Sequence, residues 1–128
     1  MLKGSCLCGG VRYEIDAELE SVSHCHCGQC RKASGAAFGT SATIPAASFR
    51  FVAGEELMNE WESSPGKRRC FCGRCGSPIP KRNDAHPENV RLRLGTLYTD
   101  PGVKPSKHIW VGSKAPWVEI TDGLPQSE

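Results

Sequence analysis

Residues 23–30, SHCHCGQC, carry five metal-capable side chains in eight positions: His24, Cys25, His26, Cys27 and Cys30. The other cysteines fall into Cys6-Leu7-Cys8 and Cys70-Phe71-Cys72-Gly73-Arg74-Cys75, so CxCxxC occurs twice and CxC once on its own. In an extended strand, residues i and i+2 point to one face, and CxC therefore aims two sulfurs together. CxxC wraps a tight turn whose thiolates grip one ion. Zinc takes four such ligands in a tetrahedron at about 2.3 Å. We pair Cys6 and Cys8 with Cys72 and Cys75 as a closed four-cysteine site. Its expected role is structural, tying the N-terminus to the middle of the chain and adding folding energy to a modest core.

Cys25, Cys27 and Cys30 then offer three thiolates with no compulsory fourth partner, which is the pattern of a catalytic zinc with an open position. The expected cofactor is zinc, two ions per chain. His24 and His26 alternate with the cysteines. In an extended segment they face away from Cys25 and Cys27, so packing or hydrogen bonding behind the site suits them better than ligation. Cys70 is expected to be a spare thiol. The alternative is that it closes the second site as a fourth ligand. An iron–sulfur cluster suits the same all-thiolate donors. A disulfide framework does not suit a chain with no visible secretory segment.

These groups must be carried by short strands. The chain has 128 residues, 14 glycines, nine prolines and only 7% aromatic residues, a balance that favours strands and turns over long helices. Residues 4–15 read as strand, Gly-Gly turn, strand, with Val11, Tyr13 and Ile15 on the buried side. Residues 21–27 suit an extended segment, and QCRKAS a helical turn ended by Gly35. Strands are expected over 36–45, stopped by Pro45, and over 48–54, 57–62, 67–72 and 90–97, with a loop at 100–107. The polar residues 121–128 are expected to trail on the surface.

The net charge of +2 is too small to argue for nucleic acid, and the basic residues Lys67, Arg68, Arg69, Lys81 and Arg82 read first as a solvated edge. No run approaches 18 apolar residues and no apolar leader precedes the first cysteines, so a cytoplasmic protein with no membrane partner is expected. Arg31 and Lys32 follow the third cysteine and are candidates to offset its charge or hold a substrate carboxylate. Trp110 and Trp117 are expected in the core, with a pocket wall as the alternative, and His108 is a candidate base.

The order CxC…CHCxxCRK…FCxxCG resembles the glutathione-dependent formaldehyde-activating enzyme family, which also includes centromere protein V. The matching stretches are GSCLCGGVRYEI, HCHCGQCRKASGAAFGT, FCGRCGSPI and HIWVGSKAPWVEI. The resemblance implies a mainly β, Mss4-like β-sheet fold organised around zinc, spanning residues 1–120 before a tail at 121–128. It implies a structural zinc on Cys6, Cys8, Cys72 and Cys75 and a second, more labile zinc on Cys25, Cys27 and Cys30. It further implies a carbon–sulfur lyase acting on a glutathione, or similar thiol, adduct of formaldehyde or a related small aldehyde. A homo-oligomer is compatible with the sequence. A non-catalytic zinc module for protein interaction is the competing reading, favoured if Cys70 closes the second site.

Overall fold

Val11, Tyr13 and Ile15, the apolar side of the first hairpin, are fully buried in a computed structural model that describes residues 1–128. The hairpin strands are β1 (Leu2–Ser5) and β2 (Arg12–Ile15). With β5 (Phe49–Ala53) they form a three-stranded antiparallel sheet in the order β1-β2-β5. The remaining strands are β3 (Glu20–Cys25), β4 (Gly39–Pro45), β6 (Met58–Ser64), β7 (Lys67–Cys72), β8 (Pro78–Asn83), β9 (Asn89–Arg93) and β10 (Lys107–Ile109). They build a seven-stranded sheet in the order β10-β3-β4-β9-β8-β7-β6. It is antiparallel except where β10 runs parallel to β3. The fold is mainly β, as expected.

Alternation divides the large sheet. Val22, Ala42, Ile44, Val90 and Leu92 turn inward and meet Val11, Tyr13 and Ile15 of the small sheet, forming one apolar core. The opposite face is polar. Arg69 pairs with Lys81, Lys81 with Arg91, and Arg91 with Thr43, a row of cross-strand neighbours on one surface.

The one α-helix, α1 (Gly28–Ser34), ends at Gly35, whose φ of 65° is left-handed and whose N–H bonds Arg31 O at 2.8 Å. This is the stop that the sequence suggests. Two elements differ from expectation, and one strand had no expectation: β8 forms across Pro78 and Pro80. The strand expected over 90–97 ends at Arg93, because residues 94–96 coil into a 3₁₀ turn. The tail lies on the surface but is tied down: His108 N–H donates to Pro125 O at 2.9 Å, and Ser127 N–H to His108 O at 3.0 Å. No helix is long and apolar enough to cross a membrane.

Candidate metal centres

Cys6 and Cys8 lie in the loop between β1 and β2, a turn rather than the extended strand expected from CxC. Their sulfurs still converge to 3.5 Å, because the turn folds back on itself through Gly9 N–H to Cys6 O at 3.1 Å. Cys72 ends β7, and Cys75 sits in the turn that follows. All four sulfurs lie within 4.8 Å of one another, and Cys8 to Cys72 is 3.9 Å. A zinc tetrahedron with bonds of about 2.3 Å has edges of about 3.8 Å, so the donor set fits the ion in number, type and spacing. Backbone N–H groups of Val11 and Arg74 donate to the sulfurs of Cys6 and Cys72 at 3.3 and 3.4 Å. The Ser77 hydroxyl beside Cys75 is the first cause holding that thiol low, at about 5.

Cys25, Cys27 and Cys30 form the second sulfur group, again within 4.8 Å. Cys25 is the last residue of β3, Cys27 is the N-cap of α1, and Cys30 lies in the helix's first turn. The Cys27 sulfur accepts from Cys30 N–H at 3.3 Å, so capping α1 and gathering the thiolates are one event. Cys30 is held down at about 3, first by the hydrogen bond from Cys25 and then by Lys81 and Arg69, while the same bond pushes Cys25 up. Lys81 Nζ stands 3.7 Å and Arg69 Nη2 3.8 Å from the Cys30 sulfur. Arg93 is buried behind the group, and Cys30 is its strongest favourable charge. Gly39 makes room for it, since a Cβ there would overlap the Arg93 guanidinium. These donors also fit zinc, with three protein ligands.

The sulfurs of Cys25, Cys27 and Cys30 open into a cleft of about 790 Å³ across the polar face of the large sheet. Seven lysines and arginines line it and no aspartate or glutamate does, so its chemistry is anion-seeking. Arg69 Nε and Nη1 are buried there without a protein partner.

Cys70 belongs to neither group. It is buried, and its sulfur faces Glu60 Oε1 at 3.9 Å. Its neighbour Arg69 is the residue that reaches Cys30, and alternation along β7 sends Cys70 to the other side. His24 and His26 also face away from the cleft, as their alternation with the cysteines requires, and His26 bonds His108 at 2.8 Å. His108 is fully buried in that network and does not line the cleft, so it is not a base there. Arg31 and Lys32 do not line the cleft either; Arg69 and Lys81 take the place expected of them. Neither Trp110 nor Trp117 is in the core, being 56% and 70% exposed, because each follows the last paired strand. Trp110 instead walls the cleft. Sequence reasoning missed Arg91 and Arg93. Their signal was the alternation of arginine with apolar residues in β9, which looks the same whether the polar face is wet or functional.

A crystal structure of a Rhodobacter sphaeroides protein has a similar fold, with TM-score 0.64 and 26% identity, covering 80% of this chain and 91% of that one. The sequence model for glutathione-dependent formaldehyde-activating enzymes matches residues 1–113, a span that takes in all ten strands and both sulfur groups. The chain belongs to the glutathione-dependent formaldehyde-activating enzyme family.

Proposed function

We propose that the protein is a zinc-dependent carbon–sulfur lyase that makes and breaks the adduct of glutathione, or a similar anionic thiol, with formaldehyde or a related small aldehyde. The observation that carries this reading is the cation ladder Arg69–Lys81–Arg91 running from the Cys30 sulfur across the sheet. Like charges directly opposite on neighbouring strands repel. A ladder of them in a cleft without a carboxylate is stable when anions complete it. The cysteine thiolates serve at one end, and the carboxylates of a thiol substrate serve along its length.

A zinc ion on Cys25, Cys27 and Cys30 would supply a Lewis acid that keeps a substrate thiol deprotonated at neutral pH. The chain's own residues hold and orient that substrate. Arg69, whose Nε and Nη1 have no protein partner, donates a charge-assisted hydrogen bond to one carboxylate. Lys81, 3.7 Å from the Cys30 sulfur, would offset the negative charge of a substrate thiolate held beside the three cysteines. Trp110 covers one side of the cleft mouth. In the synthetic direction the sulfur–carbon bond forms as the aldehyde C=O π bond opens. The proton released by the thiol ends on the new hydroxyl. The lyase direction reverses each change. The competing reading, a non-catalytic zinc module, is favoured by a fourth sulfur on the second group, and Cys70 is turned towards Glu60 instead.

NMR exchange measurements on glutathione and formaldehyde test the proposal. The protein is expected to interconvert free and hydroxymethylated glutathione faster than buffer, and Cys27→Ser to fall to the buffer rate. Equal rates in protein, variant and buffer would remove formaldehyde as the substrate.

A further inference from the structure

His24 and His108 stand side by side on β3 and β10, on the reverse of the sheet from the cleft. Their flanking residues Ser23, Cys25, Lys107 and Ile109 line the cleft, so the two imidazoles project the other way. Asp122, from the tail that pairs with β10, reaches the same place. We propose that His24, His108 and Asp122 form a third metal site, separate from the sulfur groups, which takes a divalent ion of the zinc class through two imidazole nitrogens and one carboxylate.

Four observations support it. One ligand atom from each residue lies within 4.8 Å of the other two. The two rings have centroids 4.8 Å apart. Imidazoles bound to one ion at about 2.1 Å place their centroids about 5 Å apart. Each ring is also held through Nδ1, which leaves Nε2 for an ion: His24 Nδ1 bonds Thr40 Oγ1 at 2.7 Å, and His108 Nδ1 bonds His26 Nε2 at 2.8 Å. Such outer partners fix the orientation and tautomer of metal-binding histidines. Finally, His108 Nε2 and Asp122 Oδ2 are 2.8 Å apart, close enough for a proton to occupy the ion's place, and the Asp122 side chain is 44% exposed. Phe38 packs on His24 at 4.3 Å between centroids and closes the apolar side.

Imidazole with carboxylate suits zinc, cobalt and nickel, and lacks the thiolates that make the other two groups tight. The third ion therefore binds more weakly and is taken up on titration after the sulfur groups have filled. The test is a Co²⁺ titration of the full chain, followed by absorption. Ions on sulfur give near-ultraviolet thiolate-to-cobalt bands; the third equivalent is expected to add visible absorption with no further thiolate band. Asp122→Asn and His24→Gln, at the two ligands that are not fully buried, should each lose this equivalent and keep the two sulfur-bound ions. Cys70→Ser should keep all three. The proposal is overturned if no third equivalent binds by about 100 µM free ion. A third equivalent that brings a thiolate band, or that survives in both ligand variants, overturns it equally. So does loss of all three ions together in both variants, which would make the network structural only.

Discussion

At the scale of single residues, Arg69 and Cys70 show how one step along a strand decides a role. Arg69 turns to the Cys30 sulfur and leaves Nε and Nη1 buried without a protein partner; Cys70 turns to Glu60. Under the proposed function, a charge-assisted hydrogen bond from Arg69 to a substrate carboxylate contributes about 1.5–3 kcal/mol. Arg69→Ala is expected to raise KM for the thiol by roughly 10- to 100-fold, with a smaller change in kcat and no loss of metal. Steady-state kinetics with metal analysis checks this. A drop in kcat at unchanged KM would place Arg69 with the reacting atoms rather than the carboxylate. The grouping of Cys6 and Cys8 with Cys72 and Cys75, and of Cys25, Cys27 and Cys30 with each other, was legible in the sequence because spacing alone limits which sulfurs converge. The arginines were not, because the sequence marks a polar face without saying what lies above it.

At the scale of elements, the two sulfur groups do different mechanical work. The first joins the β1–β2 loop of the small sheet to the end of β7 in the large one. The second is built on adjoining segments, the end of β3 and the start of α1. Cys75→Ser is therefore expected to cost several kcal/mol and lower Tm by on the order of 10–20 °C, or to prevent folding. Cys27→Ser should shift Tm by only a few degrees while losing one metal. Thermal unfolding of the two variants decides this, and equal losses would contradict the division. The strands that alternate cleanly, such as β2 and β9, were readable from their pattern. β8 was not: Pro78 and Pro80 argue against a strand, and neighbours on both sides override that preference by supplying its partners. Residues 94–96 look like a continuation of β9, yet Thr96 turns its hydroxyl back to Arg93 O at 2.9 Å and curls the chain.

At the scale of the whole molecule, stability should depend on alkaline pH through Tyr13. Its ring stacks on Phe49 at 5.1 Å between the two sheets, and its hydroxyl meets Thr96 at 2.6 Å. Burial, chiefly, pushes this phenol from its ordinary 10 up to about 12. The neutral form is favoured in the fold, so its contribution is intact below the unfolded value and is lost as pH rises from 10 towards 12. The loss approaches about 3 kcal/mol. Denaturant unfolding on either side of about pH 10 should show the decline, and Tyr13→Phe should flatten it. A decline of the same size in Tyr13→Phe would assign it to another group.

The contact between Cys8 and Cys72 spans 64 residues of chain. A ribosome adds roughly 5–20 residues per second, so the first pair of thiols waits several seconds for the second to be made. Throughout that interval the N-terminal hairpin has no clasp, and its two cysteines are open to oxidants and to the wrong metal. If the four-cysteine group takes zinc, zinc supply during translation, more than during later handling, should therefore set how much of the protein is recovered soluble.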